Sequence, residues 1–299
     1  MRITNARLPD GRTADLEVTD GTIEAVDEAG SGTSAPMPDD IDLDGWLLLP
    51  PLVEPHAHLD KALTADAAPN PSGDLLGAID AWIAAASAGI FTHDDMVARI
   101  RAALDRLLFS GVTAVRTHIN CGAGTGITHL LAAQEAIESY RGLIDVQTVA
   151  LPLSPLAGPD GAENRAALAG MIEAGVDLLG GCPHLEHDGD GCIGVVLDAA
   201  EEAGLPVDLH VDETLDPAML TLRSLARAVD SRGLDVGVTA SHCVSLGVQP
   251  AAVQAAVAAE VAAAKIGIVT LPQTNLFLQG RDHVTAMPRG LTAIHALRD

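Results

Sequence analysis

Aromatic side chains are scarce in this 299-residue chain: three Phe, two Trp and one Tyr. Its core must therefore be built from Ala, Val, Leu and Ile, and at 48% hydrophobic residues there is enough of them to exclude disorder as the main state. Lysine is scarcer still, with only Lys61 and Lys265 among 17 cations, and 41 acidic residues bring the formal net charge to −24. A surface that acidic repels phosphate backbones and anionic headgroups, which argues against nucleic-acid or membrane partners. The four cysteines, Cys121, Cys182, Cys192 and Cys243, form no CxxC pair, the usage of reduced thiols in a cytoplasmic protein. No apolar run reaches the roughly 18 residues of a membrane span, and the opening MRITNARLPDG has no apolar signal core. There is no GxSxG elbow to support acyl-enzyme chemistry. Gly122, Gly124 and Gly126 lack the spacing and acidic partner of a dinucleotide loop and read as a βα loop.

What is present changes character near residue 50. Residues 1–50 alternate short extended pieces with Asp-Gly turns at Asp10, Asp20 and Asp44, followed by a Gly/Ser/Pro-rich loop. Asp-Gly between alternating runs is a hairpin signal, so a small antiparallel sheet is expected there. Beyond it, apolar β-branched runs alternate with helical stretches at 94–110, behind a Thr92 cap, and at 128–140, 163–173, 193–203 and 250–264. Each run closes on a residue in the series His58, His118, Pro152, His184, His210, His242 and Gln273. After the first interval these recur about every 30 residues, the length of one βα unit. Seven such strands predict an α/β fold, a (β/α)8 TIM-type barrel at 51–299 with its site at the C-terminal ends of the strands. A doubly wound sheet is the alternative, but its groups would converge at one switch point rather than from nearly every strand. The eighth strand would begin where the sequence stops, so the expected barrel lacks its last strand.

His56 and His58 flank Ala57 at the end of the first barrel strand. Residues two apart on a strand face the same side, so both imidazoles can reach one ion, zinc or iron. His210 ends the fifth strand, Glu213 follows it, and His242 ends the sixth, gathering further ligands or proton carriers at the same mouth. Taken singly, each is as well read as a hydrogen-bonded histidine; their shared placement favours a site. His184 falls either in the pocket or on a solvated acidic loop. Gln273, Asn275 and Gln279 either hydrogen-bond a polar ring or cap loop backbone. His93, His129, His283 and His295 read as surface residues.

The motifs LPPLVEPHAHLDK (49–61), AVRTHI (114–119), VDLHVDE (207–213), VTASHC (238–243) and LPQTNLFLQGRDH (271–283) resemble, in order and content, the cytosine-deaminase-like branch of the amidohydrolase superfamily. The resemblance covers essentially the whole chain and makes residues 1–50 look like the first half of that family's β-sandwich. It implies His56, His58 and His210 as ligands of one divalent metal ion, zinc or iron. It implies Glu213 as general acid/base and His242 as the group that polarises or positions the attacking hydroxide. The fourth strand carries no lysine to bridge a second metal. Leu153 stands where cytosine deaminases carry a glutamine that reads the pyrimidine amide, which counts against cytosine itself. His184, Gln273 and Asn275 complete the expected substrate wall. The implied activity is hydrolysis of non-peptide C–N bonds, as a deaminase or aminohydrolase of a small nitrogen heterocycle, with homo-oligomerisation compatible with the family. The alternatives are a cyclic-amide hydrolase, or a non-catalytic metal-binding remnant, because the family's eighth-strand aspartate is not in the sequence.

Overall fold

The computed structural model describes residues 1–31 and 37–298 and divides into two units, Met1–Leu52 and Val53–Asp299. Residues 32–36 of the expected Gly/Ser/Pro-rich loop lie outside the described residues.

In the first unit, β1 (Arg2–Arg7), β2 (Thr13–Thr19) and β3 (Thr22–Glu28) form an antiparallel meander. Asp20 and Gly21, at φ 49° and 77°, make the left-handed two-residue turn between β2 and β3 that Asp-Gly favours. The short β4 (Ile41–Asp42) adds beside β1 but runs parallel to it. The wholly antiparallel sheet expected from the sequence is therefore a mixed one. The physical reason is connection length: about a dozen residues separate β3 from β4, enough for a strand to return in the same direction.

The second unit is built on seven strands hydrogen-bonded in chain order: β5 (Leu52–Ala57), β6 (Val112–Cys121), β7 (Asp145–Pro152), β8 (Leu178–Leu179), β9 (Val207–Val211), β10 (Val238–His242) and β11 (Gly267–Val269). Helices intervene: α1 (Leu75–Ser87) and α2 (His93–Phe109) after β5, α3 (Thr128–Glu138) after β6, and α4 (Ala162–Glu173) after β7. Then come α5 (Gly189–Ala203), α6 (Thr221–Arg232) and α7 (Ala251–Ala263), with α8 (Pro272–Leu278) and α9 (Ile294–Arg298) following β11. The ladders from β6 through β11 are parallel. β5 and β10 stand five strands apart, which at about 4.8 Å per strand would exceed 20 Å in a flat sheet. Yet His56 Nδ1 on β5 lies 3.0 Å from Ser241 Oγ on β10. The sheet is therefore curled into a nearly closed barrel, with β5 and β11 as its outer strands.

The fourth strand is short, only Leu178–Leu179. Its path nevertheless continues: Gly180 N donates to Ala150 O at 2.8 Å and His210 N donates to Gly181 O at 2.9 Å. Only glycine fits there, since a Cβ on Gly180 would lie 2.8 Å from the carbonyl oxygens of both Ala150 and Asp208. Every residue of β9 is buried, as a parallel strand covered on both faces should be. Ile100, Leu104, Leu130, Leu197 and Leu222 fill the layer between sheet and helices. Small Ala132, Ala133 and Ala136 let α3 lie close against α2. Thr92 caps α2 by accepting from Asp95 N at 3.2 Å, and Asp188 caps α5 by accepting from Gly191 N at 2.8 Å. α5 and α6 each end on a left-handed glycine, Gly204 and Gly233.

Candidate metal centre

Alternation along the strands sets the site. His56 sits near the C-terminal end of β5 with His58 just beyond it, His118 on β6 and His210 on β9. One ring nitrogen from each lies within 4.8 Å of the others. His210 Nε2 lies 3.1 Å from His56 Nε2 and 3.0 Å from His58 Nε2. A single ring hydrogen cannot satisfy both contacts. Two imidazole nitrogens at about 2.0–2.1 Å from one ion would be roughly 2.9–3.4 Å apart for octahedral to tetrahedral angles, so both contacts of His210 Nε2 have the spacing of ligands to a shared cation. Burial, reinforced by the neighbouring imidazoles and Lys61, holds His56 and His58 well below the ordinary histidine range, and burial with its neighbour imidazoles does the same for His210. The neutral ring is the ligating form. His118 is fully buried, neither of its ring nitrogens has a hydrogen-bond partner, and its Nε2 stands 3.4 Å from Asp208 Oδ1.

His242 and Glu213 reach the same mouth from neighbouring strand ends. Asp212, His242 and Cys243 all adopt left-handed backbone, with φ of 52°, 71° and 49°, a strain that folds hold where a side chain must be aimed. Part of the compensation is visible: Asp212 accepts from Thr221 N at 2.7 Å and from Leu222 N at 3.0 Å, and Thr292 Oγ1 donates to the His242 carbonyl. His242 Nδ1 is 3.3 Å from Glu213 Oε1 and 3.2 Å from Asn275 Oδ1, while its Nε2 is without a partner. Burial lowers His242 to about 3, against the opposing bond with Asn275. Burial also raises Glu213 to about 8, with Lys61 pulling the other way. The pair is thus a carboxylic acid beside a neutral imidazole rather than an ion pair, and a cation among the histidines would draw the carboxyl back down.

These groups floor a cavity of about 530 Å³. Its walls are largely apolar: Leu75, Ile79, Trp82 and Ile83 from α1, with Leu151, Leu153, Leu185, Leu271 and Leu278 opposite. Lys61 Nζ lies 5.2 Å from the centre of the Trp82 ring. Leu153 therefore does line the cavity, as do His56, His58, His210, Glu213 and His242. The other expected wall residues are placed elsewhere. His184 is buried behind His210, its Nδ1 3.1 Å from the His210 carbonyl. Asn275 is buried against His242 instead of facing the cavity. Gln273 is exposed on α8 and outside the cavity wall, because the last strand stops at Val269 and Pro272 starts a helix. Thr274 and Leu278 of the same helix face the cavity in its place.

His129, read from the sequence as a surface residue, is buried: its Nδ1 is 2.9 Å from Asp60 Oδ2, which also accepts from Asn120 N at 3.1 Å. Asp60 is 1% exposed and pins the turn between His58 and Lys61 to β6. Burial pushes its carboxyl up, but the His129 bond and nearby Lys61 outweigh that and leave it below its ordinary value. Nothing in the spacing of the sequence pairs residues 60 and 129. The wall supplied by α1 was equally hidden, although the helix has a legible cap in Asp74, which accepts from Gly77 N at 2.7 Å.

No family model matches the chain. A pterin deaminase of Rhizobium rhizogenes is 36% identical over 287 residues, 95% of this chain and 64% of that protein. The chain therefore spans just under two thirds of that curated relative. A 5-methylcytosine deaminase from Klebsiella pneumoniae, solved with 5-fluorocytosine, superimposes with a TM-score of 0.89 at 33% identity, over all of this chain and 72% of that one. An N-isopropylammelide isopropylaminohydrolase from Burkholderia multivorans gives a TM-score of 0.78 at 25% identity, over 99% of this chain and 71% of that one. The fold and the strand ends define a parallel α/β barrel with a histidine-lined mouth. The chain belongs to the amidohydrolase superfamily, on its cytosine-deaminase-like side. Among the described residues, no helix is long and apolar enough to cross a membrane.

Proposed function

We propose that this chain is a metal-dependent hydrolase of non-peptide C–N bonds that removes an amino group from a small nitrogen heterocycle. The observation that carries the reading is the convergence of three Nε2 atoms, with contacts of 3.0 and 3.1 Å, beside a buried Glu213–His242 pair. His56, His58 and His210 would hold one divalent ion, zinc or iron. Such an ion supplies Lewis acidity that makes water nucleophilic near neutral pH. Glu213, at the cavity floor, takes a proton from the attacking water and delivers it to the ring or leaving nitrogen, so that water adds at the amino-bearing carbon and ammonia departs. His242, with its Nε2 free, orients the attacking oxygen. The barrel, residues 51–299, carries the reaction in this reading, and residues 1–50 form a separate domain.

The cavity is walled by aliphatic side chains and Trp82 and falls within the usual size range for small-molecule sites, which suits a flat ring system. Leu153 in the wall offers no amide to read a pyrimidine carbonyl, so cytosine is the poorer candidate and a pterin or another oxo-amino heterocycle the better one. The test is an assay of the purified chain on pterin, cytosine, 5-methylcytosine and a cyclic amide, scoring ammonia against new carboxylate. Ammonia release that is lost with chelator and with Glu213→Gln supports deamination. Carboxylate without ammonia would instead assign ring opening, and no turnover of any of them at saturating zinc or iron would leave a metal-binding remnant.

A further inference from the structure

Beneath the histidines, five barrel strands meet in a chain of polar contacts that metal ligation alone leaves unused. His56 Nδ1 on β5 is 3.0 Å from Ser241 Oγ on β10. Ser241 Oγ donates to Asp208 Oδ1 on β9 at 3.0 Å. Arg116 Nη1 on β6 donates to Asp208 Oδ2 at 2.8 Å, and its Nε and Nη2 are held by Gln147 Oε1 on β7 at 3.1 and 3.0 Å. Asp208 and Ser241 are both fully buried. Strand alternation builds the tier: Asp208 precedes His210 by two residues on β9, as Arg116 precedes His118 on β6.

Counting donors and acceptors leaves one arrangement. A carboxylate paired with a guanidinium only accepts, so the single hydroxyl proton of Ser241 goes to Asp208. The hydroxyl oxygen then has only acceptor capacity left for His56. The ring proton of His56 must therefore sit on Nδ1, leaving bare the Nε2 that faces His210. The other two rings have no such side-chain partner: His58 Nδ1 and His210 Nδ1 make no side-chain hydrogen bond among the described residues, and beside His58 stands only the His118 backbone. Among the described residues His56 is thus the one ring of the three whose tautomer a side chain dictates.

We propose that Arg116, Asp208 and Ser241 form a positioning chain that locks His56 in its Nδ1–H tautomer and so sets the affinity of the three-histidine site for a divalent cation. The proposal rests on reading those histidines as ligands. Removing an outer partner of a ligating histidine commonly lowers metal affinity roughly 10–100-fold, and among the described residues this chain is the candidate for that role at His56.

The experiment is a zinc titration of the full-length chain in competition with a chromophoric chelator, which needs no turnover. Ser241→Ala removes the acceptor and is expected to weaken zinc binding roughly 10–100-fold, while Ser241→Thr, which keeps the hydroxyl, is expected to bind like wild type. Asp208→Asn offers an amide that can donate to Ser241, turning its hydroxyl toward His56 and driving the ring proton to Nε2. Its affinity should fall at least as far. The ¹⁵N imidazole signals of His56, assigned by difference with His56→Ala, should show Nδ1–H in wild type and Nε2–H in Asp208→Asn, a change that a bracing role for Asp208 would not produce. Should Asp208→Asn fail to fold for want of an Arg116 partner, the Ala and Thr variants at Ser241 decide alone. Unchanged zinc affinity in Ser241→Ala overturns the positioning chain and leaves the three-histidine reading standing. A wild-type chain that takes up no zinc overturns both.

Discussion

The Nε2 atoms of His56 and His210 lie 3.1 Å apart although their strands, β5 and β9, are four places apart in the sheet. That contact exists only because the sheet curls, and it joins the fold to the chemistry: the curvature that closes the barrel brings the ligands together. The first expectation is that His210→Ala, which removes the nitrogen shared by both short contacts, abolishes stoichiometric metal uptake. Elemental analysis of purified protein measures it, and the loss should exceed the roughly 10–100-fold cost of an outer-shell change.

Glu213→Gln keeps shape and removes the ability to carry a proton. Its kcat should fall by roughly 10²–10⁴, with metal content unchanged. A variant that lost metal in parallel would make Glu213 a ligand rather than a proton carrier.

Asp60 supports the turn that leads from His58 to Lys61. Asp60→Ala would leave His129 and the Asn120 amide buried without their acceptor, a loss of about 3–5 kcal/mol in urea unfolding by the usual cost of breaking a buried pair. His129→Ala should destabilise in the same direction, and the double variant should cost less than the sum of the two, since both remove one interaction.

On the outer surface Glu260 of α7 accepts from Arg223 at 2.7 Å and from Arg227 at 3.1 Å, and these two guanidiniums of α6 hold its carboxyl down to about 2. A depressed carboxyl stabilises the fold above its unfolded value, near 4.5, and that contribution fades as pH falls toward 2. Glu260→Gln should therefore cost up to about 1 kcal/mol at pH 7, after screening of a partly exposed pair. The gap between variant and wild type should narrow steadily below pH 4.5 in denaturant midpoints.

The four cysteines are all free, and burial lifts their thiols, Cys121 and Cys182 to about 12. Since the thiolate is the reactive form, a disulfide reagent at pH 8 should titrate none of them in the native protein and all four in denaturant. Rapid reaction of one equivalent in the native state would place a reactive thiol in the cavity, at Cys182.

The metal-ligand candidates were legible because they obey a short rule, alternation at strand ends, that survives folding. His56, His58 and His210 reach the cavity for that reason, whereas Glu213 and His242 are turned into it by left-handed backbone at the ends of β9 and β10. Gln273 and Asn275 did not follow, because a polar run after a strand does not reveal whether the backbone stays extended; Pro272 turned it into a helix whose rotation exposes one amide and buries the other. Asp208, Ser241 and the Asp60–His129 pair were silent for a different cause. Their partners lie 33, 185 and 69 residues away, so only the closed barrel creates the contacts. His184 closes no ladder of its own because β8 ends at Leu179, and Gly180 and Gly181 only continue the strand path.

The most direct test is the binding stoichiometry of zinc and of iron(II) on the full chain, compared with His56→Ala and His210→Ala. One equivalent bound by wild type and lost from both variants is the expected result. No uptake by wild type, or equal uptake by all three proteins, would contradict the metal centre and with it the hydrolase.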